Sequence, residues 1–352
     1  MIFLGILALL IWFGGRQIGW PRALRLGLLT GLYAGIMLMH LVLPNGHALR
    51  MATGESIVPW ATLLVLIALV VAYRRGLGAL KKRTHASEAS EPHSSPESFS
   101  SAELNRYARH IMLREIGGPG QKQLKNAKVL VIGAGGLGAP ALQYLAAAGV
   151  GTIGVIDDDE VENANLQRQV IHRDADIGMV KVFSAQAAMQ AQNPFVTVKP
   201  YHRRLTEEIA KDLFAEYDIV LDGSDNFDTR YLANRTAVAL GIPLISGALS
   251  QWEGQLSVFD PKTDGPCYQC IFPEAPAEGL APSCAEAGVF APLPGVIGAM
   301  MAAEAMKLIT KAGTSLRGEL LIYDALYGES RRLKAPRRAD CPVCGADSGS
   351  AS

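Results

Sequence analysis

Hydrophobic residues are distributed in two different ways along this chain. Residues 1–13 are apolar, 23–43 are apolar apart from Arg25 and His40, and 57–73 are apolar apart from Thr62. Nothing breaks up the faces of these stretches, which predicts three helices apolar all round, as helices in a bilayer are. The first and third are short for a hydrocarbon core of about 30 Å, so the first has an interfacial helix as its alternative. It lacks a basic n-region, which argues against a signal sequence. A hydrophobic hairpin packed on the following domain is the competing reading of all three. Residues 84–101, THASEASEPHSSPESFSS, are rich in serine and carry two prolines and three acids, and they predict a disordered linker.

From residue 102 onward the pattern is that of a folded domain. A helix is expected over 102–116, with Tyr107, Ile111 and Met112 inward. Residues 129–132 form a short β-branched run, a buried parallel strand by pattern. Gly133, Gly135, Gly136 and Gly138 follow, then an alanine-rich helix, then a strand over 152–156 that ends in Asp157. In such a strand–turn–helix unit the missing β-carbons let backbone approach a phosphate, and unpaired N–H groups of the helix face the anion. An acid at the end of the second strand is placed for ribose hydroxyls. Helices follow over 180–192, 206–215 (capped by Thr206) and 227–240, with strands over 196–200, 219–221 and 243–247. Strands alternating with helices give an open parallel sheet with its sites at the strands' carboxyl ends. Residues 254–260 and 318–323 alternate with period two and read as antiparallel, around a long helix over 295–311. The expected fold class is thus α/β, a Rossmann-like nucleotide-binding fold with a mixed, mainly parallel sheet, plus N-terminal transmembrane helices. The domains are 1–83, a membrane anchor of three helices; 84–101, the linker; 102–345, the enzyme; and 346–352, a tail.

Charge and cysteine content sharpen this picture. Lysine plus arginine equals aspartate plus glutamate, so nothing draws the chain to nucleic acid in bulk. Arg16, Arg22 and Arg25 follow the first apolar stretch, and Arg74, Arg75, Lys81, Lys82 and Arg83 follow the third. With three spans both clusters fall on one side, which is then cytoplasmic, with the anchor in the inner membrane. Five cysteines are present, four of them in two C-x-x-C pairs, Cys267/Cys270 and Cys341/Cys344. Two dithiol corners supply the four soft ligands of a tetrahedral structural Zn²⁺ site. The remaining cysteine, Cys284, follows a proline-rich stretch.

Seven motifs occur in a telling order: RYARHIMLRE, VIGAGGLG, IDDDEVENANLQRQ, LDGSDN, PCYQC, SCAEAGVFAPLPGVIG and CPVC. Residues 102–345 thereby resemble the MoeB/ThiF adenylyltransferases of the ubiquitin-activating-enzyme superfamily, with spacing nearest the molybdopterin-synthase adenylyltransferase group. The resemblance implies ATP-dependent adenylylation of the C-terminal glycine of a ubiquitin-like sulfur-carrier protein, MoaD- or ThiS-like, in molybdopterin or thiamine biosynthesis. It implies Arg168 and Lys181 on the phosphates, Asp225 on Mg²⁺, Asp157 on the ribose, and Asn165 and Gln169 lining the site. It also implies a homodimer in which Arg109 reaches the partner's site. Cys284 matches a cysteine that forms a covalent link in some members, and a buried inert thiol is the equal alternative. The first hundred residues fall outside the resemblance, and its members are typically soluble.

Two other readings compete. An NAD-dependent oxidoreductase would use the glycine loop and Asp157 equally well, but would leave Arg168, Lys181 and Asp225 without a task. A non-catalytic membrane scaffold for a carrier protein would not need those three residues.

Overall fold

The structure, a computed structural model, describes residues 2–54, 56–89, 98–276 and 287–345. It divides into two compact units, Met1–His93 and Ser94–Ser352.

In the first unit the opening stretch is helical from Ile2 to Gln17, with a π-turn at Leu10–Gly14. Helix α1 (Arg22–Val42) follows Pro21, and helix α2 (Val58–Ala89) follows a short helix, Ala48–Thr53. Few side chains hold these together. Arg25 donates to the Trp12 carbonyl at 3.1 Å and lies over the Trp12 ring. His40 Nε2 lies 2.9 Å from Thr53 Oγ1. Most large apolar side chains remain exposed, among them Leu41, Val65, Leu66 and Leu69. The third apolar stretch is longer than its composition suggested. Its helix runs on to Ala89, through the first residues of the expected linker, because Ala, Leu, Lys and Arg propagate a helix well. The rest of that linker up to residue 97 lies outside the described residues, as does the tail over 346–352.

In the second unit, helix α3 (Ser101–Ile111) starts at a capping box in which Ser100 and Glu103 satisfy each other's backbone N–H groups. It ends at Ile111, short of the expected residue 116, with Met112 exposed rather than inward, and after a turn helix α4 (Gly117–Asn126) follows. One eight-stranded sheet then organises the unit. Its strands are β1 (Lys128–Ile132), β2 (Thr152–Asp157), β3 (Thr197–His202), β4 (Ile219–Asp222), β5 (Leu244–Leu249), β6 (Glu253–Phe259), β7 (Glu319–Asp324) and β8 (Glu329–Lys334). Their order is β3-β2-β1-β4-β5-β6-β7-β8. The first five in that order are parallel and the last three antiparallel, which is the mixed sheet the patterning predicted.

The connecting helices are α5 (Gly138–Ala148), α6 (Lys181–Gln192), α7 (Glu207–Ala215), α8 (Phe227–Leu240) and α9 (Pro292–Thr310). The alternation along β1 sorts the two faces. Val129 and Val131 pack with Leu142 and Leu145 of α5 and with Ile297 and Met301 of α9. Leu130 and Ile132 pack with Phe214 of α7 and Ala233 of α8. Both faces are closed, so the polar rim at the strands' carboxyl ends is where a ligand finds access.

Candidate active site

Strand β1 ends where the chain turns sharply into α5. Gly133 sits at φ +90° and its N–H is held by Ile156 of β2 at 2.9 Å. A β-carbon on Gly138 would lie 1.8 Å from the Gly133 carbonyl oxygen, so this tight turn requires glycine there. The loop borders a cavity of about 1210 Å³ at the carboxyl ends of β1, β2 and β4. Gly133, Gly135, Gly136, Asp157, Arg168, Gln169, Lys181 and Asp225 line it.

Three sequence-predicted residues are placed elsewhere. Gly138 lies behind the loop as its packing contact. Asn165 accepts from the Glu162 N–H at 3.2 Å and braces its own turn rather than the cavity wall. Arg109 is on an exposed face of α3, beside Met112, and does not border its own chain's cavity. Cys284 lies outside the described residues.

The lining residues divide by how firmly they are held. Asp157 accepts from Ala134 N–H at 2.7 Å and from Asp159 N–H at 2.8 Å, so it fastens the glycine loop to β2. Burial pushes its carboxyl up, against the Ala134 amide and the Lys181 charge, which favour the anion. Lys181 is buried and pairs with Asp159 at 2.6 Å, a partner the sequence did not reveal. Arg168 lies against Gly136 and donates to the Ala164 carbonyl at 3.1 Å. Asp225 is exposed on the wall, and no side-chain bond holds it among the described residues. It follows a turn built on Asp222, which accepts from Ser224 Oγ at 2.6 Å and Ser246 Oγ at 3.1 Å and faces Arg230 at 3.5 Å. Asp222 and Arg230 are both buried, so removing either leaves an unpaired charge at a cost of about 3–5 kcal/mol. Thr206 makes no side-chain cap on α7, whereas Asn226 caps α8 by accepting from Thr229 N–H at 2.9 Å.

Two observations bear on what the cavity would hold. Gln169 is only 4% exposed and its Oε1 finds no partner among the described residues. A buried free acceptor in a pocket wall fits a ligand that donates, as an adenine amino group or a ribose hydroxyl does. Cations gather on the same wall: Arg168 and Lys181 are joined by Arg203 and Arg204 at the end of β3. At the mouth, Trp252 stacks on Phe290 with ring centroids 4.7 Å apart.

The second predicted centre is assembled by the sheet's far side. Cys267 and Cys270, at a short helix (Tyr268–Ile271), meet Cys341 and Cys344 from the chain after β8. Their Sγ atoms lie 3.4 Å (270–344), 3.6 Å (267–341) and 3.9 Å (267–270) apart. A tetrahedron with Zn–S of about 2.3 Å sets S–S near 3.8 Å, so the four fit zinc. Asn234 Nδ2 and Arg338 N–H donate to Cys267 and Cys270 sulfur, which supports thiolates. Burial pushes the Cys267 thiol up. It acts the same way on Cys341, where the Cys344 and Val343 amides and neighbouring thiols outweigh it and draw the group to about 7.

A glycine loop under a cationic wall, on a mixed sheet with a four-cysteine staple, defines an E1-like nucleotide-binding domain. Residues 107–343 match the ThiF family, and the chain belongs to it. Over 247 residues it is 52% identical to a sulfur carrier protein adenylyltransferase of Thermus thermophilus, covering 69% of this chain and 91% of that one. It is 49% identical to the SAMP-activating enzyme E1 of Haloferax volcanii, covering 70% and 91%. Among solved structures it resembles E. coli MccB crystallised with ATP, at 25% identity and a TM-score of 0.59, covering 70% of this chain and 75% of that one.

Proposed function

We infer that this chain is an ATP-dependent adenylyltransferase that activates the C-terminal glycine of a ubiquitin-like sulfur-carrier protein. The observation that carries the reading is the cavity itself, where the glycine loop, Gln169, Arg168, Lys181 and Asp225 converge. The names of the Thermus and Haloferax relatives supply the substrate class, and the MccB structure supplies the nucleotide. A MoaD- or ThiS-like carrier, and hence molybdopterin or thiamine biosynthesis, is what the resemblance to the MoeB/ThiF enzymes implies, with motif spacing favouring the molybdopterin side.

The chemistry asks for positioning and charge neutralisation. The carrier's carboxylate is ionised at pH 7, so its oxygen attacks the α-phosphorus with no base. The bond from that phosphorus to the bridging oxygen breaks, and pyrophosphate leaves with the electron pair. Arg168 and Lys181 offset the phosphate charge in a site where fixed cations need no reorganisation. Asp225 would hold Mg²⁺, which when bound spreads the triphosphate charge. Asp157 keeps lone pairs for the ribose while it fastens the loop. Zn²⁺ on the four cysteines would staple the C-terminal segment to the short helix Tyr268–Ile271. Arg109, exposed and off its own cavity, is read as serving the site of a second copy in a homodimer, as the family resemblance implies. Replacing Asp225 by alanine should abolish carrier-dependent pyrophosphate exchange in a folded protein; undiminished exchange would remove Asp225 from the mechanism.

The N-terminal unit is read as an anchor in the inner membrane, with the enzyme on the cytoplasmic side where ATP and reduced thiols are found. By length and composition α1 and residues 58–76 of α2 are long and apolar enough to cross a bilayer. Alkaline phosphatase fused after Arg83 should be inactive; an active fusion would reverse the orientation.

A further inference from the structure

A chain of polar groups runs beneath the glycine loop. The Ser184 hydroxyl lies 2.7 Å from Asp176 Oδ2 and 2.9 Å from His172 Nδ1. On its other side His172 places Nε2 3.0 Å from the carbonyl oxygen of Ala134. His172 is 6% exposed and Ser184 1%. Ala134 stands between Gly133 and Gly135, and its own N–H is the one that donates to Asp157. Both backbone polar groups of this residue are therefore held, one by the strand end and one by the histidine.

The carbonyl is the informative one. A trans peptide points its C=O and the following N–H in opposite directions. Anchoring the Ala134 oxygen on the buried side therefore aims the Gly135 N–H the other way, and Gly135 lines the cavity. That N–H makes no hydrogen bond among the described residues. Glycine at 135 gives the Ala134–Gly135 peptide added freedom to flip, and a flip would present a carbonyl oxygen to the ligand instead of a donor. A carbonyl can only accept, so the contact needs its proton on Nε2. Burial holds the ring below the ordinary imidazole range. The Lys181 charge acts the same way, while the Ala134 carbonyl and Asp176 pull upward. The ring is thus neutral at pH 7 with one N–H. The opposite tautomer would set a lone pair against the Ala134 oxygen. With Nε2 protonated, Ser184 has two acceptors in reach, Nδ1 and Asp176, and either choice leaves Ala134 held.

The geometry points to His172 as a positioning residue of the nucleotide site: through the Ala134 carbonyl it fixes the glycine loop so that the Gly135 amide faces the ligand's phosphates. This rests on reading the cavity as an ATP site.

The test uses the full chain in detergent, with ATP–Mg²⁺ binding by calorimetry beside steady-state exchange. His172→Ala should raise both Kd and KM for ATP by roughly tenfold, the worth of one net hydrogen bond. The turnover at saturating ATP should change less than KM. His172→Gln returns an amide N–H to the Nε2 position and should recover most of the affinity. Nitrogen-15 shifts of the wild-type ring at pH 7 should report the Nε2–H tautomer, a readout independent of how the variants fold. Wild-type affinity in folded His172→Ala, a glutamine variant as weak as the alanine one, or a proton on Nδ1 would each overturn the assignment. A wild-type chain that binds no ATP would overturn it together with the nucleotide reading. ATP binding that weakens in His172→Ala while no carrier is ever adenylated would support His172 and sink the carrier reading alone.

Discussion

Helices α2 and α9 each contain a 19-residue stretch, 58–76 and 292–310, long and apolar enough to cross a membrane. None of the first is buried by protein, and half of the second is. By composition the two could exchange places; their surroundings separate them. In α9 small residues let the backbone of α5 come close, and Leu293, Ile297 and Met301 fill one face of the sheet. In α2 the leucines and valines from Leu63 to Val71 are left exposed among the described residues. Apolarity thus says that a helix must be buried, and only packing partners say in what. For α9 the answer is the enzyme's own core. For α2 the described residues supply no such core, and this is the observation behind the anchor proposed above.

A charge placed in each helix should break the equivalence most strongly. Met301→Lys puts an unpartnered ammonium at a fully buried site, a cost of about 3–5 kcal/mol against a total stability on the order of 5–15 kcal/mol. The enzyme domain should unfold or aggregate, as read by its melting curve. Leu66→Lys should leave that melting curve alone. It should instead weaken membrane partition, since a lysine at a span's centre costs about 2.5–3.5 kcal/mol on insertion scales. A lowered domain melting temperature in Leu66→Lys would mean that α2 packs on the enzyme after all.

Glycines sharpen the contrast at smaller magnitude. A β-carbon on Gly298 of α9 would lie 2.3 Å from the Leu137 carbonyl oxygen and 2.4 Å from Pro140. Gly298→Ala should cost about 1–3 kcal/mol by overpacking. On Gly31 of α1 a β-carbon would meet nothing within 4 Å. Gly31→Ala should therefore be neutral or gain about 0.5–1 kcal/mol of helix propensity. Chemical melts of the two variants decide it, and equal destabilisation would contradict the difference in packing.

The same distinction explains what could be read from the sequence. Patterns that are local were legible: the β1–glycine–α5 unit, the period-two strands β6 and β7, and the two C-x-x-C pairs. Strand β8 was not, because all six residues of ESRRLK are exposed and carry no alternation. Nor was α4, whose GGPGQKQLKN opens on three glycines and a proline that mask the helix formers behind them, and whose Gln121 and Leu124 are held by burial. At the site, the types and order of the lining residues were legible, but their partners were not. Asp159 for Lys181 and His172 for Ala134 become neighbours only when separate segments fold together, and Arg230 reaches Asp222 only when the turn after β4 folds its helix back. Asn165 illustrates the converse, a residue whose motif placed it at the ligand and whose hydrogen bond places it in the turn beside it.

The central claim is that the enzyme domain adenylates a carrier and that the apolar unit only locates it. One measurement addresses both halves: mass spectrometry of a carrier ending in Gly-Gly after incubation with ATP and Mg²⁺. The full chain and a fragment beginning at Ala102 are compared. The account predicts that the carrier gains one AMP with either protein at similar rates, and none with Asp225→Ala. A folded, ATP-binding fragment that leaves the carrier mass unchanged would contradict it.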